Sequence, residues 1–122
     1  MTELSNAVFR SLADPTRRQI LDLLAEDGPL SVGELSREFP DVVTSNVSKH
    51  LMNLRETGLV SSERRGREQF YRLEPDVLVE GLAPWIARYQ RFWFSALARL
   101  RDVAESDVTP GKRAPRKKKP SR

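Results

Sequence analysis

Apolar residues recur at helical spacing along most of this chain, interrupted between positions 59 and 73 by two short runs that read as strands. Residues 3–12 form a first predicted helix, with Leu4, Val8 (or Ala7) and Leu12 along one side. Asp14-Pro15 marks a second start, an oxygen-bearing cap followed by proline at the first helical position. Ile20, Leu21, Leu23 and Leu24 give that helix a broad apolar stripe, and Gly28-Pro29 ends it. Ser31 and Glu34 have the spacing of a capping box at the head of a short third helix, which carries Leu35 and Phe39 inward before Pro40. Thr44 or Ser45 caps a fourth helix running to about Thr57, with Val47, Leu51 and Leu54 on its buried stripe and Gly58 as a left-handed C-terminal cap. Ser45, Asn46, Lys49, Met52 and Asn53 are placed on its exposed side. Leu59–Arg64 and Gln69–Leu73 read as two strands turning near Gly66, closed by Glu74-Pro75. From Pro84 to Val103 comes the longest helical pattern.

The third and fourth helices, joined by the short PDVV connection, fit a helix-turn-helix, in which the second helix enters the DNA major groove. The residue types along that helix suit the task. Asn can pair at two points with adenine, Lys donates to guanine, and Ser donates or accepts. The candidate base contacts are Thr44, Ser45, Asn46, Ser48, Lys49 and Asn53. Each alone reads as an ordinary solvated residue; the cluster beside a basic hairpin carries the inference. Arg64, Arg65 and Arg67 flank Gly66, and Arg72 returns on the second strand. Three arginines at one tip repel one another unless a polyanion neutralises them, and phosphate or a narrow minor groove is the fitting partner. The competing reading is an edge strand kept soluble by charge. Arg17 and Arg18 can clamp backbone phosphates or pair with Asp14 or Asp22, and the sequence leaves both open.

Charge changes the picture less than it first suggests. The chain of 122 residues has a net charge of +4, but positions 112–122 (KRAPRKKKPSR) hold seven of its 21 basic residues and no acid. The body is left with 14 basic against 17 acidic residues, so a DNA-facing surface there is local clustering, not a global surplus. Two segments follow: a folded domain over residues 1–106 and a basic tail over 107–122, expected to stay disordered because it has little apolar surface to bury. The tail fits either a nonspecific grip on DNA or a solubility aid. There are no cysteines, so disulfides and thiolate metal sites are ruled out, and no apolar run approaches the ~18 residues of a membrane span. The N-terminus lacks a secretory apolar stretch, and a cytoplasmic, nucleoid-associated protein is expected. No nucleophile–His–acid set or phosphate-binding glycine loop is present, so no enzyme and no cofactor are expected.

The segments LADPTRRQILDLL, VSKHLMNLRETGLV and GREQFYRL resemble the ArsR-type winged helix-turn-helix transcriptional regulators of bacteria and archaea, over about residues 4–104. That resemblance implies a mainly α (α+β) fold with a two-stranded β-hairpin wing and a long C-terminal dimerisation helix. It also implies a homodimer that represses a promoter by binding an inverted-repeat operator. By position the recognition helix is about 44–57 and the wing about 60–73, with first and last helices forming the dimer interface. Metal-sensing members bind through cysteines or through His and acidic residues on the last helix. The single histidine here, His50, lies on the recognition helix, so no metal is expected, and His50 reads as packing or a phosphate contact.

Trp85, Tyr89, Phe92, Trp93, Ala96 and Leu100 crowd one stretch of helical pattern. Aromatic residues at such spacing are usually core or interface, and an isologous dimer buries them from both sides. With Leu4 and Val8 they form the expected dimer interface, intrachain core and an effector pocket being the alternatives. The expected function is therefore a sequence-specific, dimeric repressor, with its own promoter among the candidate targets; the alternative is an architectural protein that coats DNA through wing and tail. The effector is unknown from sequence.

Overall fold

The computed structural model describes residues 2–107. In order these form α1 (Glu3–Leu12), α2 (Pro15–Asp27), β1 (Leu30–Ser31), α3 (Val32–Ser36), α4 (Thr44–Thr57), β2 (Val60–Arg65), β3 (Glu68–Leu73), α5 (Pro75–Arg88) and α6 (Gln90–Asp107). The described residues divide into two units, one up to Ala87 and one from Arg88 onward. The basic tail expected from the sequence lies outside the described residues.

Local chemistry places most boundaries. Thr2 caps α1 through Ser5 N–H (3.0 Å), and the Asp14 carboxylate accepts from Thr16 and Arg17 N–H at the head of α2. Ser31 and Glu34 form the expected capping box, with bonds of 3.1 and 2.9 Å. Gly58, at φ 90°, closes α4 in the left-handed region. The start of α4 differs from expectation: Val43 is its cap, and no side chain accepts from its first N–H groups.

The expected two-stranded hairpin is β2–β3, and β1 extends it to a three-stranded antiparallel sheet in the order β1-β3-β2. Leu30 and Ser31 pair with Tyr71 and Phe70, a contact two residues long that no period-2 pattern could announce. The hairpin runs one residue further than expected on each side, pairing Arg65 with Glu68. Its loop is then Gly66-Arg67, with Gly66 at φ 64° and, among the described residues, no positive φ outside glycine, the pattern of a type II′ turn.

One core fills the first unit. Val8, Ile20, Leu21, Leu23, Leu24, Leu35, Phe39, Val47, Leu51, Leu54, Leu59 and Val60 are buried, contributed by α1–α4, the start of β2, and the connections before and after α4 that carry Phe39 and Leu59. Val8 is 0% exposed in the single chain, so it has no surface left for a partner; its place in the expected dimer interface is corrected to core. Its neighbour explains the burial. A Cβ on Gly81 of α5 would lie 2.5 Å from Val8 Cγ2 and 3.0 Å from Val8 Cβ, so α5 reaches α1 this closely only because position 81 lacks one.

Gly81→Ala is therefore expected to destabilise. Overpacking against a stiff, β-branched, fully buried neighbour costs about 1–3 kcal/mol, of which helix propensity returns about 1. Val8→Ala should suppress the effect, and a double-mutant cycle by thermal unfolding reads the coupling. Additive losses would mean that the two positions do not touch.

The single long helix expected from Pro84 to Val103 is two. α5 begins at Pro75, contains Pro84 in its interior and ends at Arg88; Tyr89 is a turn, and α6 follows. No helix among the described residues is long and apolar enough to cross a membrane.

Candidate nucleic-acid interface

The recognition helix presents two different sides. Val47, Leu51 and Leu54 are fully buried, so the core sets which way α4 faces. Thr44, Ser45, Asn46 and Lys49 are exposed; Ser48 and His50 are half-buried at the margins of the same helix. The side chains of Ser45, Asn46 and Lys49 make no hydrogen bond or ion pair among the described residues, leaving their donors and acceptors for another molecule. Asn46 and Lys49 are three apart, so they stand side by side on α4.

Asn53 departs from the sequence reading. It is half-buried, and its Oδ1 accepts from Ser11 Oγ at 2.8 Å across to α1. The bond takes one of the two lone pairs of that oxygen and holds the amide against α1, so two-point pairing with adenine requires the side chain to leave Ser11. Asn53 thus belongs with the packing of α4 against α1, and its expected role as a base contact is corrected.

The wing tip is less uniformly cationic than the sequence indicates. Arg65 stacks its guanidinium 4.9 Å from the Phe70 ring centre and sits 3.6 Å from the Glu63 carboxylate. Arg72 is held by Glu74 at 3.2 Å. The Ser61 hydroxyl donates to that same carboxylate, and with Arg72 it keeps the Glu74 pKa below its ordinary value. Arg64 and Arg67 are exposed and have no acidic partner among the described residues, so they are the two wing cations available to phosphate.

Arg17 and Arg18 take a third course that the sequence did not offer. Arg17 Nε and Nη2 donate to the carbonyls of Ser11 (2.8 Å) and Arg10 (3.0 Å), and Arg18 Nη1 donates to Leu12. These are carbonyls of the last turn of α1, where a cation also complements the helix dipole; that of Arg10 accepts from Ala13 N–H as well. Neither arginine forms a salt bridge with Asp14 or Asp22. Half-buried Arg17 is occupied by the fold, while Arg18 remains exposed.

At the head of α2, burial opposes ionisation of Asp14. The backbone N–H groups of Arg17 and Thr16, together with the charges of His50 and Arg17, outweigh it and lower the pKa. A carboxyl whose folded pKa is lowered contributes stability that is whole above its unfolded pKa near 4 and is lost as pH falls through the folded value. Asn caps a helix as well as Asp but does not titrate. Wild type is therefore expected to exceed Asp14→Asn in stability at pH 7, the gap closing as pH falls below about 4; a gap constant with pH in urea titrations would count against this.

Among the described residues no group of three His, Asp or Glu side chains could hold a metal ion. Sequence reasoning missed the partners of Ser11, namely Asn53 and Thr57, because nothing local marks two residues more than 40 positions apart as neighbours. It also passed over Phe94, Leu97 and Val103 of α6, all exposed in the single chain. A wider apolar stripe than the one traced was the available signal.

A buried-core bundle carrying an open helix-turn-helix helix and a charged hairpin defines a DNA-binding winged helix. Residues 12–63 match the family model described as a helix-turn-helix domain. The chain is 34% identical over 106 residues to the arsenic resistance transcriptional regulator ArsR1 of Pseudomonas putida, covering 84% of this chain and 82% of that protein. It is similar in structure to an ArsR-like transcriptional regulator from Rhodococcus sp. RHA1, with a TM-score of 0.62 and 33% identity over 83% of this chain and 92% of that one. It is also similar to the homodimeric winged helix-turn-helix DNA-binding domain of a possible ArsR-family regulator from Mycobacterium bovis, with a TM-score of 0.58 and 31% identity over 72% of this chain and 82% of that one. The chain belongs to the ArsR family of winged helix-turn-helix transcriptional regulators, which are DNA-binding proteins, not enzymes.

Proposed function

We propose that this protein is a dimeric, sequence-specific repressor that reads an inverted-repeat operator with α4 and holds the flanking backbone with the wing. The observation that carries the reading is the uncommitted set Ser45, Asn46 and Lys49, exposed on the first two turns of a helix whose opposite side is locked into the core. Thr44 and Ser48 lie beside them, and Arg64 and Arg67 supply phosphate contacts. The N–H groups of α4 that lack a side-chain cap add a polar, positive end close to where DNA would lie.

Dimerisation rests on a separate observation. Phe92, Trp93, Phe94, Leu97, Leu100 and Val103 of α6 are exposed in the single chain, a density of large apolar side chains that water-facing helices do not carry. The homodimeric state of the M. bovis domain supports a second copy as their cover. A two-fold dimer presents two copies of α4 to half-sites one DNA turn apart, and occupancy there blocks polymerase access to a promoter.

Selection from a random DNA pool, followed by footprinting on host genomic DNA at physiological salt, tests the reading. An enriched inverted repeat with a few sharp genomic sites is the expected result. Even coverage with no enriched repeat would replace it with the architectural alternative.

A further inference from the structure

On the reading that α4 contacts DNA, we propose that Ser11 is a positioning residue for sequence recognition: with Asn53 and Thr57 it fixes the rotation of α4 about its own axis. Ser11 is 1% exposed at the end of α1. Its hydroxyl lies 2.8 Å from Asn53 Oδ1 and 3.0 Å from Thr57 Oγ1, and Thr57 in turn donates to the Asn53 carbonyl at 3.0 Å. Ser11 gives its one proton to Asn53 Oδ1 and accepts from Thr57, whose own single proton is shared between Ser11 Oγ and the Asn53 carbonyl, so one serine is knit to two successive turns of the recognition helix.

The spacing gives this anchor its consequence. Asn46, Lys49, Asn53 and Thr57 are separated by three, four and four residues, so they form one stripe along α4. The C-terminal half of the stripe is docked on α1 through Ser11; the N-terminal half is open. Apolar packing of Val47, Leu51 and Leu54 sets which way the helix faces, but it is nondirectional and does not by itself fix the last few degrees of rotation. Hydrogen bonds are directional, so the Ser11 contacts penalise the same rotation that would swing Asn46 and Lys49 off their base edges. Ser11 is itself held in place: its carbonyl accepts from Arg17 Nε at 2.8 Å, tying the end of α1 to the start of α2. The arrangement braces α1, α2 and α4 at one point.

The test uses the full chain and the inverted repeat recovered by selection, with a random duplex of equal length as the second probe. Ser11→Ala should lower affinity for the selected repeat about tenfold while random-duplex affinity at the same salt stays within about twofold, since phosphate contacts do not depend on helix rotation. Thr57→Val should reproduce the loss at matched side-chain shape, and Thr57→Ser should restore the ratio. In the free protein, amide hydrogen exchange should quicken along α4 in Ser11→Ala while α2 and α3 keep their protection. Affinities for both probes falling together, in step with thermal stability, would show a purely structural serine and overturn the proposal. So would unchanged exchange along α4, a result that stands even if the wild type selects no repeat and the DNA-reading assignment itself fails.

Discussion

Replacing Asn46 and Lys49 together by alanine is expected to erase discrimination between the selected repeat and random DNA while leaving the fold intact. Both side chains are exposed and make no bond within the described residues, so their removal leaves no cavity and no orphaned partner. Each base-edge contact is worth about 1–3 kcal/mol at a cognate site. The pair stand three residues apart on α4 and share one patch of groove, so their losses need not add. The combined effect should fall between roughly tenfold and a few thousandfold in affinity for the repeat. Binding to random duplex should drop only by what the Lys49 charge contributes, roughly one unit of salt slope at most. Fluorescence anisotropy with both probes over a salt series reads the two quantities at once. A double variant that still prefers the repeat would move the reading surface elsewhere, first to Thr44 and Ser48 at the helix start.

Trp93→Asp is expected to give a folded monomer that binds the repeat far more weakly than the wild type. In the single chain Trp93 is 48% exposed, so an aspartate there meets water and should leave the protomer's helical content unchanged. In a two-fold dimer the same substitution enters the interface twice, and an unpaired carboxylate in an apolar contact costs several kcal/mol each time. Losing the dimer removes the link between half-sites, and with it the gain from binding both on one scaffold. Leu100→Asp, at a position 64% exposed, should behave alike, which separates loss of the interface from any effect peculiar to tryptophan. Light scattering and circular dichroism decide the matter. A stable dimer from both variants would place the interface off α6, and an unfolded Trp93→Asp chain would return Trp93 to a core role.

The two substitutions probe features of very different legibility. The exposed side of α4 was readable because helical periodicity, the apolar triplet Val47, Leu51 and Leu54, and the Gly58 stop are all encoded within 15 residues. The crowd of aromatics beyond Pro84 was equally visible, yet its division into α5 and α6 was not. A proline in a helical pattern reads as a beginning, and here it is tolerated inside a helix that starts nine residues earlier. At the wing, sequence revealed the arginines but not their occupation: stacking on Phe70 and pairing with Glu63 and Glu74 subtract Arg65 and Arg72 from the cations free to meet phosphate.

What the sequence determined by itself is whatever depends on neighbours a turn or two away. Caps at Asp14, Ser31 and Gly58, the stripes of α2 and α4, the hairpin around Gly66 and the open polar side of the recognition helix all belong here, because capping bonds and amphipathic burial act over three to seven residues. The tertiary structure alone decided the rest. β1 exists because β3 lies beside it; α5 can cross α1 because Gly81 meets Val8; Arg17 and Arg18 turn to the end of α1; and Asn53 is withdrawn from the reading surface by Ser11, 42 positions away. Apart from the two arginines, whose partners lie six or seven residues back across the break between α1 and α2, each of these is a contact between segments whose separation along the chain carries no local signature. Their geometry is set only once the core has brought the helices together.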